Sequence, residues 1–338
     1  MIVGDYWGTI DFGGGPFTNA GSNDVFLAKF DANGVHQWSQ RFGDASLQTS
    51  HDISVDSSGN IVIVGYYAGT MDFGGGPLAS AGGYDIFIAK FDPNGVHLWS
   101  QRFGSADDQY ARQIETDASG NVIVSGYWKD TLDLGGGPMT AVGTHDVWVA
   151  KFDPSGAHLW SHGYGYAGQY QADSDVAVDP SGNVVLTGYM RGTLDFGGEP
   201  LVGTGAYDIF LVKYNPSGAH LWSKRVGGPN AHLSQDMAID HSGNIYMSGM
   251  FSGYIDFGGG QLLSAGSYDI FLAGFGPNGN ARFADRYGDS AEQKSWFPVE
   301  VNSAGDIYLA GEFRGSVDFG GGVMPSAGDR DILFVKFQ

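Results

Sequence analysis

Twelve side chains with binding or catalytic chemistry lie in the segments that differ most between the copies of a repeated sequence. These segments read DASLQTSHD, SADDQYARQ, YAGQYQADSD, GPNAHLSQD and DSAEQKSWFP. Carboxylates beside histidine could carry out acid–base hydrolysis, and aromatic rings with arginine could bind a sugar or a peptide. The candidates are His51, Asp52, Asp107, Asp108, Tyr110, Arg112, Tyr170, Asp175, His232, Asp236, Lys294 and Trp296. The alternative is that they are only varied, solvated loop residues.

Two further patterns resemble ligand-binding loops but fit ordinary turns better. The GGG tract opens no helix and lacks the Lys-Ser/Thr ending of a phosphate loop, so it predicts a wide glycine turn or bulge. The preceding aspartates, such as Asp11 and Asp72, are predicted to accept backbone N–H groups. Turns such as DPSG lack the distal glutamate of an EF-type calcium loop. We therefore predict no cofactor, with calcium held by loop carboxylates from several repeats as the alternative.

Two recurring side chains in the repeat also have a structural and a functional interpretation. His97 and Trp99 lie two residues apart, so they share one strand face and could form a stacking platform for sugar rings. Packing of the tryptophan between neighbouring repeats is the favoured alternative. The recurring lysine, Lys90 in the second copy, is predicted to lay its stem along apolar surface with its ammonium in water.

The elements that position these residues follow from the repeat. The landmark D-[FL]-G-G recurs six times, at spacings of 61, 61, 62, 61 and 62 residues. In the second copy, four short runs rich in β-branched and aromatic residues follow one another: run a (61–67), run b (85–91), run c (96–103) and run d (111–117). No stretch shows helical periodicity. Each period therefore predicts four β-strands.

The turns between these runs predict the fold class. Turns such as DPNG join run b to run c, and turns such as DSSGN join run d to run a, which is hairpin chemistry. We predict an all-β protein: a β-propeller of about six four-stranded antiparallel blades, forming one domain over residues 1–338 with its first and last repeats partial. A β-solenoid is the alternative, disfavoured because solenoid coils are usually shorter and parallel.

Counting the runs predicts that the two terminal blades are incomplete. Runs a and b occur six times, but runs c and d occur five times, so 22 strands are available where six full blades need 24. Each terminal blade is therefore expected to have three strands and an unpaired edge, which recruits partners. The expectation is either self-association or membership of a longer propeller.

Composition excludes several classes of partner. Lysine and arginine number 17 against 37 acidic residues, which gives a net charge of −20. Such a charge repels phosphate backbones, so no nucleic-acid partner is expected. Apolar runs fall short of the ~20 residues of a membrane span, so no membrane insertion is expected. No basic-then-apolar segment stands before MIVGDYW, so an export signal is expected to lie outside this sequence. There are no cysteines for disulfides or metal ligation.

The repeat resembles a known family. The residues GNIVIVGYY, DIFIAKFDPNG, LWSQRFG and DISVDSSGN are similar to the SBBP-type bacterial β-propeller repeat in every copy, apart from a longer glycine-rich segment between runs a and b. That family occurs mostly in exported proteins, so the resemblance implies an extracellular or cell-surface location. It also implies that run d is innermost, which would place the twelve candidates around the mouth of a central channel.

We therefore predict a non-catalytic binding or scaffold propeller with a glycan or protein ligand. Near-identical repeats offer equivalent shallow sites, which suits multivalent binding of a repetitive ligand. The alternative is a hydrolase or lyase that uses carboxylates and histidine at the channel mouth, with or without calcium. A purely structural segment of a larger surface protein is a third interpretation.

Overall fold

A computed structural model of the chain describes residues 1–293 and 296–337, without the side chain of Ser174. Its regular elements are all β-strands, and no helix in the described part is long and apolar enough to cross a membrane. The chain divides into two compact units, Met1–Gly163 and Tyr164–Gln338. Each unit contains three blade sheets.

The strands of the first unit are grouped by blade. Blade 1 contains β1 (Ile2–Tyr6), β2 (Thr9–Asp11), β3 (Pro16–Thr18), β4 (Asp24–Phe30) and β5 (His36–Phe42). Blade 2 contains β6 (Gln48–Val55), β7 (Ile61–Tyr67), β8 (Thr70–Asp72), β9 (Pro77–Ala79), β10 (Asp85–Phe91) and β11 (His97–Phe103). Blade 3 contains β12 (Gln109–Thr116), β13 (Val122–Trp128), β14 (Thr131–Asp133), β15 (Pro138–Thr140), β16 (Asp146–Phe152) and β17 (His158–Tyr164).

The second unit has the same pattern. Blade 4 contains β18 (Ala172–Val178), β19 (Val184–Met190), β20 (Thr193–Leu194), β21 (Leu201–Val202), β22 (Asp208–Tyr214) and β23 (His220–Val226). Blade 5 contains β24 (His232–Ile239), β25 (Ile245–Phe251), β26 (Tyr254–Asp256), β27 (Gln261–Leu263), β28 (Asp269–Phe275) and β29 (Ala281–Tyr287). Blade 6 contains β30 (Val299–Val301), β31 (Ile307–Phe313), β32 (Ser316–Val317), β33 (Met324–Pro325) and β34 (Asp331–Phe337).

The blade sheets confirm the predicted fold class, an all-β propeller of six antiparallel blades. Blades 2 to 5 each pair their strands in the order d, a, b, c, as in β6–β7–β10–β11. Blade 1 has the order β1–β4–β5 and lacks run d, and blade 6 has the order β30–β31–β34 and lacks run c within the described residues. The predicted three-stranded terminal blades are therefore confirmed, whereas the single domain over 1–338 stays a prediction.

The glycine-rich links between runs a and b are more ordered than predicted. In the described chain each of the six forms a two-stranded hairpin, such as β8 with β9. At its turn the Asp72 carboxylate accepts the backbone N–H groups of Gly74 at 2.8 Å and Gly76 at 3.1 Å. The predicted role of this aspartate is confirmed. The flanking strands were missed, because three residues are too few to show an alternating pattern.

Neighbouring blades pack through two apolar faces, which recur along the chain. The forward face of a blade is formed by run-b side chains such as Ile86 and Ile88, which are fully buried in blade 2. They belong to one core cluster with Trp148, Ala150 and Phe152, which lie on the rear face of blade 3. Burial of each such side chain stabilises the fold by about 1.5–3 kcal/mol, so packing between blades is a major source of stability.

A polar link also crosses between blades 2 and 3, at the end of the strands that carries the tight turns. The Trp99 indole donates to the Pro154 carbonyl at 3.0 Å, so this tryptophan packs against the next blade, as favoured from the sequence. The Lys90 ammonium lies 2.9 Å from the Asp56 carboxylate and donates to the same Pro154 carbonyl. The Lys90 side chain is only 3% exposed, so the prediction of a solvated ammonium was wrong.

Candidate functional site

The structure places most of the predicted site residues in strands rather than in loops. Run d begins earlier than predicted, so the connection before β6 comprises only residues 43–47. Strand residues among the candidates are His51, Asp52, Tyr110, Arg112, Asp175, His232 and Asp236. Residues outside the strands are Asp107, Asp108, Tyr170 and Trp296, and Lys294 lies outside the described residues. Ligand binding by any of the twelve stays a prediction.

A one-residue β-bulge explains why three of the aspartates have structural partners. The register of β6 with β7 shifts between Ser50 and Asp52, and the other complete run-d strands shift at the equivalent point. A bulge re-aims the following side chain. Asp52 consequently accepts the backbone N–H of Ile114 in the next blade at 2.9 Å. Asp175 and Asp236 accept the equivalent N–H groups of blades 5 and 6, at 2.8 and 2.7 Å.

Burial makes Asp236 and His232 part of the framework of the second unit. Burial raises the pKa of Asp236 above its ordinary value, even though the carboxylate also accepts backbone N–H groups. His232 is fully buried, with its ring nitrogens 3.1 Å from the Tyr207 carbonyl and 2.9 Å from the Tyr254 carbonyl. These side chains hold the backbone in place, so they are poorly suited to reach a ligand.

Two other candidates of the first unit, His51 and Tyr110, lie in a group of aromatic rings, which we call the tyrosine cluster. Ring centroids of Tyr110 lie 4.8 Å from Tyr66 and 4.7 Å from Tyr127. The His51 ring stacks on Tyr66 at 5.2 Å. The cluster comprises His51, Tyr66, Tyr84, Tyr110, Tyr127 and His145, and all six residues are half-buried. It joins blades 2 and 3 at the strand ends that carry the a–b and c–d connections.

A glycine lets two strands of blade 3 approach each other closely beside the tyrosine cluster. Gly126 lies opposite Ala111 in the β12–β13 pair, next to the bulge. A Cβ atom on Gly126 would lie 1.9 Å from the Tyr110 carbonyl oxygen, far inside van der Waals contact. The Gly-Tyr dipeptide at the end of run a therefore serves both the bulge and the cluster. This dipeptide, repeated as Gly65-Tyr66 and Gly126-Tyr127, is the sequence signal that could have identified the cluster.

Charged groups of both signs surround the tyrosine cluster. The Asp108 carboxylate accepts the Tyr84 backbone N–H at 3.1 Å and lies 3.5 Å from the Lys129 ammonium. Burial raises the pKa values of Tyr66 and Tyr110, so both phenols stay protonated and able to donate a hydrogen bond. Burial, with a smaller contribution from Arg112, lowers the pKa of His51 to about 4. The cluster therefore offers apolar ring faces with neutral and charged hydrogen-bonding groups at its border.

The lowered pKa of His51 predicts acid sensitivity. The pKa of a histidine in the unfolded chain is about 6.5. Between that value and the folded pKa of about 4, the unfolded chain binds a proton that the folded chain does not. Stability is therefore fully present above ~6.5 and should fall as the pH drops through this window. Urea unfolding of the wild type and of His51→Gln at a series of pH values would measure it. Equal pH slopes for the two proteins in this window would contradict the assignment.

The second unit contains a smaller aromatic group at the equivalent strand ends. Tyr170 stacks on Tyr189 with ring centroids 6.1 Å apart, and Tyr189 meets Tyr207 at 5.4 Å. The Arg191 guanidinium lies over the Tyr207 ring at 4.8 Å, a cation–π geometry. Among the candidates of this unit that the structure describes, Tyr170 is the one that lies in an aromatic group.

The opposite ends of the strands, where the tight turns lie, also contain a cavity in the second unit. It has a volume of about 420 Å³ and lies between blades 4 and 5, lined among others by Asp179, Lys213, Trp222 and His241. Lys213 and Asp179 form a buried ion pair of 2.7 Å, and Trp222 donates to the Pro277 carbonyl at 3.2 Å. These groups make the same blade-to-blade link as Lys90, Asp56 and Trp99, so the cavity lies along a structural contact.

Metal binding has no geometric support in the part of the chain that the structure describes. Within residues 1–293 and 296–337, no three His, Asp or Glu side chains gather closely enough to hold a metal ion. Aspartates of the tight turns instead accept backbone N–H groups, as Asp92 does from Asn94 and Val96 at 2.8 Å each. The predictions about cofactors, including calcium, stay predictions.

Comparison with known sequences finds a match to a repeat family. Residues 221–250 match the family model described as SBBP: Beta-propeller repeat. An uncharacterized WD repeat-containing protein of Acanthamoeba polyphaga mimivirus is 25% identical over 299 residues, which cover 70% of this chain and 22% of that protein. Regulatory protein FlaEY of Caulobacter vibrioides is 26% identical over 205 residues, which cover 57% and 21%. The chain thus spans about a fifth of the length of these curated relatives.

The solved structures that match the chain are distant in sequence. A crystal structure of a puromycin hydrolase mutant complexed with PGG has 13% identity and a TM-score of 0.40, covering 86% of this chain and 38% of that one. The β-propeller domain of the Trilobed protease from Pyrococcus furiosus, described as having an open velcro topology, has 12% identity and a TM-score of 0.36, with 82% of each chain covered.

Proposed function

Because the chain carries an SBBP β-propeller repeat, we propose that it is a non-catalytic binding protein that holds a saccharide at the tyrosine cluster. The observation that carries the proposal is the convergence of four tyrosines and two histidines from two blades. Ligand sites combine such ring surfaces with a few polar groups that fix orientation. The phenols of Tyr66 and Tyr110 and the Asp108 carboxylate can exchange hydrogen bonds with sugar hydroxyls.

The charge of the chain restricts the class of saccharide. A net charge of −20 repels sulfated or uronic-acid-rich polymers. Beside the cluster Asp108 lies 3.5 Å from Lys129, and Arg112 and Asp5 act on Tyr66 with opposite signs, so charges of both signs border the rings. A neutral oligosaccharide therefore fits best. The similar aromatic group around Tyr189 in the second unit offers a second site of the same kind, which favours polymers with repeated sugar units.

The same contacts weigh against the hydrolase or lyase alternative. A catalytic carboxylate must reach the substrate with a pKa suited to proton transfer. Asp52, Asp175 and Asp236 instead accept backbone N–H groups of the next blade. Of the candidate carboxylates in the described chain, only Asp108 borders the tyrosine cluster, whereas glycoside hydrolysis ordinarily uses a pair.

A panel of neutral oligosaccharides on a glycan array, followed by calorimetric titration of the best ligand, tests the proposal. Tyr110→Ala should weaken binding by at least about tenfold, or ~1.4 kcal/mol, because it removes the central ring of the cluster. Tyr254→Ala is the control, since that tyrosine is exposed and lies outside the cluster. An array without any binding, or unchanged affinity in Tyr110→Ala with intact circular dichroism, would refute the saccharide site.

The proposed ligand also bears on location. Neutral glycans are displayed at cell surfaces, so the proposal places the protein outside the cell, as the resemblance implied. Fractionation of the native source with an antibody against the chain would test this. Recovery only in the cytosolic fraction would contradict it.

A further inference from the structure

Blade 6 exposes side chains that are buried at the equivalent positions of other blades. Ile332 and Phe334 on β34 are 86% and 72% exposed. Ile270 and Leu272, which hold the same positions on β28 of blade 5, are 0% and 1% exposed. The difference arises because Ile270 and Leu272 pack against Phe297, Leu309 and other rear-face residues of blade 6. Ile332 and Phe334 therefore form an exposed apolar forward face of blade 6.

Blade 1 carries the matching rear face. Its buried residues Tyr6, Phe26 and Ala28 form a small cluster with half-buried Ile10, Phe12, Phe17 and Phe30. The same positions in blade 2 include Tyr67, Phe73, Phe87 and Phe91, which are buried against Val25 and Leu27 of blade 1. Ile2 is 48% exposed, whereas its equivalent Ile63 is fully buried. The rear face of blade 1 thus has the residues of a blade-to-blade contact and is more exposed than its equivalent.

We propose that the forward face of blade 6 in one copy of the chain packs on the rear face of blade 1 in a second copy. The contact repeats the packing of blade 5 on blade 6, with Ile332 and Phe334 in the places of Ile270 and Leu272. Large exposed apolar side chains beside an unpaired edge strand are characteristic of interaction sites. The two surfaces differ, so the contact is heterologous and builds closed rings or open chains of copies.

The charge of the chain adds a distinguishing feature to this contact. Each copy carries a net charge of −20, so approaching copies repel one another. The faces that meet are apolar, and salt screens the repulsion without weakening them. Association should therefore strengthen as salt increases, which is opposite to an assembly held by ion pairs.

Light scattering of the full chain over a wide range of protein and salt concentrations provides the first test. The wild type should grow in mass with protein concentration, more so at high salt, and Phe334→Asp should remain a monomer under the same conditions. Leu263→Asp is the matched control, because Leu263 is an exposed apolar strand residue outside both faces, at 70% exposure. It should assemble like the wild type. A monomeric wild type, or equal loss of assembly in both variants, would overturn the proposal.

Cross-linking identifies the occupant of the face. The chain contains no cysteine, so Phe12→Cys and Phe334→Cys place one thiol on each face. Mixing the two single variants with a short bismaleimide should yield a covalent dimer that neither variant gives alone. A chain carrying both thiols that instead cross-links internally as a monomer would show that its own blade 1 covers the face, and would overturn the second-copy contact.

Discussion

Replacing Lys90 with methionine should lower the free energy of unfolding at pH 7 by about 3–5 kcal/mol, which is the usual cost of removing one partner of a buried ion pair. The substitution keeps most of the apolar stem but removes the ammonium that lies 2.9 Å from Asp56. The side chains of the pair are 3% and 4% exposed, so water cannot replace the lost partner. Urea unfolding followed by circular dichroism would measure the change.

The chain supplies a matched control for this experiment. Lys336 and Asp306 form the same pair at the same distance of 2.9 Å in blade 6, but their side chains are 40% and 20% exposed. Solvent screens an exposed pair, so Lys336→Met should cost far less stability than Lys90→Met. Similar losses in the two variants would show that burial of the pair is not what makes Lys90 important.

The stability lost in Lys90→Met should also depend on pH. Burial alone would raise the pKa of Asp56, but hydrogen bonds from Asn60 and Lys90 outweigh it and hold the pKa below its ordinary value. In the wild type this carboxylate therefore stabilises the fold above pH ~4, and the contribution is lost as the pH falls further. Without Lys90 the pKa of Asp56 should rise. The variant should therefore recover part of the lost free energy of unfolding when Asp56 is protonated. The deficit should be larger at pH 7 than near pH 4.

Replacing Gly126 with alanine should destabilise the first unit by about 3 kcal/mol and weaken saccharide binding as well. The added Cβ would lie 1.9 Å from the Tyr110 carbonyl oxygen, so the backbones of β12 and β13 must separate. Forcing extra atoms into a packed site typically costs about 1–3 kcal/mol, and the obstacle here is backbone rather than a flexible side chain. The shift also moves Tyr110 away from Tyr127, so ligand affinity and stability should fall together.

A glycine in open space provides the comparison for Gly126. Gly259 lies in a hairpin turn, has no heavy atom within 4 Å of an added Cβ, and does not have a positive φ. Gly259→Ala should therefore change the free energy of unfolding by less than about 0.5 kcal/mol. If Gly126→Ala were as mild, the close approach of the two strands would not be a requirement of the fold.

Local chemistry explains which features the sequence alone determined. Short runs rich in β-branched and aromatic residues are separated by turns, and aspartates open turns in which they accept N–H groups two and four residues ahead, as Asp92 does. These interactions act within a few residues, so each repeat shows them without reference to the rest of the chain. The four main strands of each repeat, their antiparallel order, the six blades and the three-stranded terminal blades were predictable for that reason.

Tertiary structure decided the environment of the side chains, because their neighbours come from distant parts of the chain. Lys90 was expected in water, yet Asp56 lies 34 residues before it and Pro154 lies 64 residues after it, and together they bury its ammonium. Asp52 was expected to face a ligand, but the bulge beside it turns the carboxylate to Ile114 in the next blade. The tyrosine cluster likewise forms only when blades 2 and 3 stack. Periodicity and turn chemistry therefore determined the strands and blades, whereas the contacts between blades determined which polar and aromatic groups are available to bind a ligand.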